Sequence, residues 1–296
     1  MTRVVLAAAL AVAVGQAPRA VSPAAPVTRV HRFLMGTSMT IEVSGGSLAA
    51  RQEAVDEAFT ALAEVDRVMS NYRPDSELAA VNQRAATEPV QVSAALFSVL
   101  AAARDVSRRS GGAFDVTVGP LMKLWGFYQK QPHVPSDAEL DRVRPLVGYA
   151  QVALDEQART VRFARAGMEL DLGGIAKGFG VELAGGVIRR RGLSGFIDAG
   201  GNQYFVGAPV GQGSWHVGIE DPDRRGELLG VLTVEGGSVA TSGTNHNFFE
   251  VNGQRYGHLL DPRTLRPSNR SLSVTVVSKD ATMADALTKP IFLLGP

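Results

Sequence analysis

Apolar positions in the first half of the chain recur at helical spacing. Across residues 51–69, Val55, Ala58, Phe59, Leu62, Val65 and Met69 fall on one face and predict an amphipathic helix. The stretch "SNYRPDSEL" ends it, with Pro74 as the stop. A second helix is expected over residues 93–110, with Ser93 as its cap. Ser136 and Glu139 form a capping-box pattern for a short helix that ends before Pro145. Residues 37–43 alternate as a strand closed by Ser44-Gly45-Gly46.

Past residue 150 the period shortens to two. "QVALDEQARTVRFA" reads as a hairpin, and so does "FFEVNGQRYGHLL", where Asn252-Gly253 is a strong turn signal. Further strands fit residues 195–198, 216–220, 230–234 and 271–277, and one clear helix fits residues 174–190. No repeat or low-complexity tract interrupts the pattern. Helices early and antiparallel strands late predict an α+β fold.

The N-terminus departs from this pattern. "MTRVVLAAALAVAVGQAPRA" has Arg3, an apolar run over residues 4–14, then small residues and proline. That layout reads as a secretory signal peptide over residues 1–20, cleaved shortly after Val14, with a Pro/Ala linker over 21–30 and one domain over 31–296. The expected location is therefore outside the cytoplasm, as a free protein or one tethered by an uncleaved signal. No later stretch is apolar for long enough to span a bilayer. The chain has no cysteine, which excludes disulfides, thiolate metal sites, a cysteine nucleophile and a lipid anchor on cysteine. At 45% hydrophobic, 20% charged and a net charge of +1, with no basic block, nothing favours a nucleic-acid partner.

Candidate chemistry gathers in glycine-rich turns. "ELDLGGIAKGFG", residues 169–180, sets Asp171 before a glycine pair and Lys177 after it. It is neither common phosphate loop. Lys177 follows Ala176 and is not followed by a hydroxyl residue, and Gly178-Phe179-Gly180 is not completed by glycine or alanine at Leu183. A helix starting near Gly174 would still offer free amides and a positive dipole end to phosphates. Asp115 follows a glycine pair and precedes a strand-like run, Asp198 and Asn202 flank another pair, and "ATSGTNHNFF" carries hydroxyl and amide groups. His258 lies three residues before Asp261, and Asp285 enters an apolar helix start. Each alone fits a turn or cap; their number points to a site.

Together these segments resemble the ApbE family, the FAD:protein FMN transferases. The resemblance rests on "MGTSMTIEV", "YRPDSELAAVN", "GGAFDVTVGPLMKLWGF", "LDLGGIAKGFGVE", "FIDAGGN", "TSGTNHNFF", "HLLDPRT" and "ADALTKPIFLLG", in family order over residues 31–296. It implies an ApbE-like, T-fold-related architecture with a flavin cleft between two subregions. It also implies that FAD is the substrate, that Mg2+ neutralises its pyrophosphate, and that FMN passes to a threonine of a target protein in a membrane or periplasmic electron-transfer system, releasing AMP. The implied flavin contacts are Met35, Tyr72, Ala113, Phe114, Asp115, Asp171, Lys177 and Leu259. The implied metal ligands are Gly174 through its carbonyl, Asp285 and Thr288, and the implied base is His258, with Asp285 as its catalytic companion.

Two departures stand out. Thr288 comes one place earlier than the family's metal-holding threonine, and Lys289 occupies that threonine's position. The chain also stops at "FLLGP", where family members continue for another helix and strand. Two other readings suit the same residues: a flavin-binding or flavin-delivery protein without transfer, and hydrolysis of FAD to FMN and AMP.

Overall fold

The computed structural model describes residues 26–128, 131–211, 213–224, 226–244, 248–268 and 270–295; the expected signal peptide lies outside them. The chain starts with β1 (Val27–Leu34), β2 (Thr37–Ser44), α1 (Leu48–Met69), α2 (Glu77–Arg84), β3 (Val90–Gln91), α3 (Ala94–Arg109), α4 (Gly119–Leu124) and α5 (Asp137–Val143). A hairpin of β4 (Val152–Asp155) and β5 (Thr160–Phe163) leads to α6 (Ala176–Arg190), β6 (Ser194–Ala199) and β7 (Asn202–Val206). Then come β8 (Trp215–Glu220), β9 (Leu228–Val234), β10 (Gly237–Gly243), β11 (Phe248–Val251) and β12 (Gln254–Gly257). The short β13 (Leu260–Asp261) and β14 (Arg266–Pro267) precede β15 (Ser273–Ser278) and α7 (Ala281–Leu294).

An antiparallel sheet in the order β1-β2-β6-β7-β10-β15 forms the platform. One face is apolar because every second residue of β2 (Met39, Ile41, Val43) points to it. Against that face lie Ala54, Ala58, Phe59 and Leu62 of α1 and Val181, Ala184 and Ile188 of α6. Burying a side chain such as Phe59 or Leu62 contributes about 1.5–3 kcal/mol each. A second core gathers Leu78, Val81, Leu96, Leu100, Phe163, Leu170 and Leu172 around α2, α3 and the β3-β5-β4 sheet. A third surrounds Trp125, whose indole N–H donates to Leu265 O at 3.0 Å. Turn 171–174 and the start of α6 lie between the first two cores, and there α7 crosses α6.

The fold is α+β, as expected, and the caps Ser93 and Ser136–Glu139 act as read. Several elements differ from the sequence reading, and β3, β7 and β10 have no counterpart in it. Residues 27–30, read as linker, are paired in β1; its mostly exposed pattern makes it an edge strand without an apolar run. The stretch read as a break, residues 70–78, runs into α2 (Glu77–Arg84), capped by Ser76 Oγ at 2.9 Å from Ala79 N. The strand-like run after Asp115 is the helix α4, with Pro120 in its first turn, where its missing N–H costs nothing. Finally, α7 is a second full helix in the later half, carrying Pro290 inside it.

Candidate active site

The site starts from a glycine. Gly178 lacks a side chain where α6 meets α7, and a Cβ there would overlap the carbonyl oxygen of Ala281 and lie 2.6 Å from Asp285 Cβ. That closeness lets Gly178 N donate to Asp285 Oδ2 at 2.9 Å, so a carboxylate on α7 caps the first turn of α6. An anion is favoured at that end of a helix. Asp285 is fully buried. Its Oδ1 is ion-paired with the Lys289 ammonium one turn later, which also donates to Asp285 O at 2.9 Å. Burial pulls the Lys289 ammonium below the ordinary lysine value, Asp285 opposes this, and Lys177 adds a smaller downward push. The Lys289 stem lies 3.5 Å from where a Cβ of Gly174 would sit, and the Phe114 ring lies 3.3 Å from the same point. Thr288 is buried; its hydroxyl donates to Asp285 O at 2.7 Å and sits 2.7 Å from Ser242 Oγ.

Turn 171–174 connects this charged corner to an aromatic one. Asp171 Oδ1 accepts from Gly173 N at 2.6 Å, and its Oδ2 accepts from the Tyr128 hydroxyl. Burial, then the Asp171 charge, raises the Tyr128 pKa, so this phenol stays a donor. Asn71 Nδ2 donates to Tyr128 OH at 2.9 Å, while Asn71 Oδ1 is a buried acceptor with no partner among the described residues. The Tyr72 ring meets Tyr128 edge-on, centroids 5.8 Å apart, and is 71% exposed, which leaves a face free for stacking. Lys177 Nζ stays near the turn, 3.5 Å from Gly173 O.

The start of α6 offers fewer open amides than its glycines suggest. Ala176 N donates to Leu172 O at 2.8 Å, Phe179 N to Ile175 O at 3.2 Å, and Gly178 N to Asp285. The expected row of free amides is corrected accordingly: the first turn is capped from α7.

Asp115 is tied into the fold. It is buried, Oδ1 accepts from Thr117 N at 2.8 Å and Thr117 Oγ1 at 2.7 Å, and Oδ2 accepts from Tyr149 N at 2.7 Å. Its carboxylate ties the loop after α3 to the turn before β4. Burial raises its pKa against the pull of those donors. Asp115→Ala strands three donors and is expected to lower unfolding free energy by about 2–4 kcal/mol. Urea denaturation checks this; a loss under about 1 kcal/mol would return Asp115 to a ligand-binding role. Asp198 is likewise a turn former, accepting from Gly201 N at 3.0 Å.

Met35 and Gly36 form the two-residue turn between β1 and β2, both with positive φ, 50° and 73°. Met35 packs against both of the large cores, its sulfur 3.6 Å from a Cβ position on Gly180. Ala113 is fully buried. Leu259 packs under α7 against Phe292 and Leu293, which puts half-buried His258 on the α7 side of the molecule. Asp261 does not present a free carboxylate: Arg263 holds it at 2.9 and 2.7 Å. Thr244 joins these parts, because its Cγ2 lies 3.1 Å from a Cβ position on Gly257 while Ser242, two residues earlier, reaches Thr288.

A family model described as the ApbE family matches residues 35–296. The chain belongs to the ApbE family. It is 36% identical over 280 residues to the FAD:protein FMN transferase of Treponema pallidum (strain Nichols), covering 89% of this chain and 77% of that one. The protein of the same name from Escherichia coli (strain K12) is 30% identical and covers 100% of this chain and 87% of its own. Among solved structures, the ApbE protein of Thermotoga maritima matches with a TM-score of 0.86 at 32% identity, covering 91% of this chain and 87% of that one. The flavin transferase ApbE from Vibrio cholerae matches with a TM-score of 0.83 at 32% identity, covering 92% and 88%.

Within this ApbE chain, a run of contacts links Tyr72 through Tyr128 to Asp171, the 171–174 turn to Lys177, and Gly174 to Phe114 and Lys289, which pairs with Asp285 beside Thr288. Three members were not read from sequence. Asn71 and Ser242 lie inside quoted segments, and Tyr128 directly follows one; hydrogen-bonding residues next to an aromatic or glycine turn were the available signal. The expected magnesium site does not fit this geometry. The anionic oxygen of Asp285 is paired with an ammonium, and the Thr288 hydroxyl is used by Asp285 O and Ser242. Among the described residues no three His, Cys, Asp or Glu gather as a metal cluster. A divalent ion at Asp285 would be repelled by Lys289.

Proposed function

We propose that this protein is an FAD:protein FMN transferase acting on a threonine of a target redox protein. The observation that carries the reading is the turn 171–174, which joins an exposed aromatic face at Tyr72 to the ammonium groups of Lys177 and Lys289. A flavin dinucleotide has that division: a flat ring for stacking and an anionic pyrophosphate for the cations. In the reaction, the threonine oxygen bonds to the phosphorus on the FMN side. The bond from that phosphorus to the bridging oxygen breaks, and AMP leaves with that oxygen. His258 takes the threonine proton, a task that an imidazole can perform. Asp171 and Tyr128 hold the turn, and Asp285 fixes the start of α6.

The deciding experiment incubates purified protein with FAD and a threonine-bearing target peptide, then weighs the peptide. A gain equal to FMN less water supports transfer. Release of FMN and AMP with an unchanged peptide indicates hydrolysis, with water replacing threonine. Neither product, with FAD still bound, indicates a carrier; the Asp285–Lys289 pair is the feature that favours it. The Arg3 start and the apolar run over residues 4–14 support a site of action outside the cytoplasm. An intact Met1 peptide in the cytosolic fraction would count against export.

A further inference from the structure

We propose that Lys289 supplies, as a tethered ammonium, the positive charge that a divalent cation would bring to Asp285, so that FAD binds at this corner without metal. The inference rests on the flavin reading above and adds how the pyrophosphate charge is met. Three observations carry it. First, Lys289 occupies the pairing position: one turn after Asp285 on α7, its ammonium takes the carboxylate oxygen a cation would need. Second, the ammonium has unused capacity. A lysine has three N–H donors, and among the described residues Lys289 meets two acceptors, both on Asp285. Its side chain is 14% exposed, at the edge of turn 171–174 beside Gly174 and Phe114. Third, Lys177 stands at the same turn, its Nζ 3.5 Å from Gly173 O, so a second ammonium lies near Lys289 while the carboxylate of Asp171 is engaged by Gly173 N and the Tyr128 hydroxyl. An anion with two negative charges suits that corner; a further dication does not.

Gly174 contributes by being small. A side chain there would press on the Phe114 ring and on the Lys289 stem, so glycine keeps the ammonium against Asp285. Thr288 does not substitute as a ligand, because its hydroxyl faces Ser242 and Asp285 O inside the helix packing.

The test titrates FAD into protein stripped with EDTA and follows quenching of flavin fluorescence, with and without added magnesium. Calorimetry of magnesium into the protein–FAD complex runs alongside. The parent chain is expected to bind FAD equally well in both buffers and to show no magnesium heat. Lys289→Thr is expected to lose about tenfold or more in affinity under EDTA and to recover with magnesium, since Asp285 is then free and a hydroxyl replaces the ammonium. Lys289→Arg should keep metal-free binding. If the parent binds FAD only with magnesium, this inference fails while the flavin reading stands. If it binds FAD in neither buffer, the flavin reading fails first. Should Lys289→Thr not fold, the parent's response to EDTA decides alone.

Discussion

Asp285→Ala is expected to lose about 3 kcal/mol of unfolding free energy and all measurable flavin transfer. The variant leaves the Lys289 ammonium at a corner that is 14% exposed with no counter-charge, and it uncaps Gly178 N. Removing one partner of a buried pair costs about 3–5 kcal/mol, and the lower end applies because the lysine stem can turn toward water. The companion variant separates charge from structure. Adding Lys289→Met to Asp285→Ala removes the stranded ammonium and should restore stability to within about 1 kcal/mol of the parent, with transfer still absent. Urea denaturation read by linear extrapolation measures both. A single variant as stable as the double would mean that the ion pair contributes nothing.

Gly178→Ala is the second large effect. The new methyl would overlap a backbone carbonyl at Ala281 and the Asp285 Cβ at 2.6 Å, neither of which can move without parting the helices. Parting them also breaks the bond from Gly178 N to Asp285. The expected cost is about 3 kcal/mol or more, at the top of the range for overpacking. Gly186→Ala on the same helix is the control. Its Cβ would meet only the flexible tip of Arg190 at 3.3 Å, so it should be neutral or stabilising by up to about 1 kcal/mol. Thermal melts of the two variants side by side check the contrast. Equal melting temperatures would show that the helices tolerate separation.

Much of the fold was legible because its signals are local. The α1 stripe, the Ser93 cap and the Ser136–Glu139 box each fit within a few turns of chain. The Asn252-Gly253 turn has both residues at positive φ, 53° and 75°, as that pair prefers. The elements missed were those whose burial is settled by distant partners. β1 is mostly exposed and pairs with β2 alone, and α7, of which only an apolar start was read, runs on through Pro290. The site divided in the same way. Glycine turns and carboxylates marked its place, but the cap that Asp285 gives to α6 links residues 107 positions apart, which no local pattern encodes. The same holds for the tie that Asp115 makes: its partner Tyr149 lies 34 residues on.

The sheet order has a consequence for time. β2 finds its inner neighbour only at β6, where Ser44 faces Ser194 across 150 residues of chain. Until that segment has left the ribosome, the first hairpin holds an open edge and α1 has no α6 to cover its apolar stripe. At about 5–20 residues per second, the wait is on the order of ten seconds. For that interval the growing chain is a substrate for any factor that binds unpaired strands, and the sheet closes only after most of the protein exists.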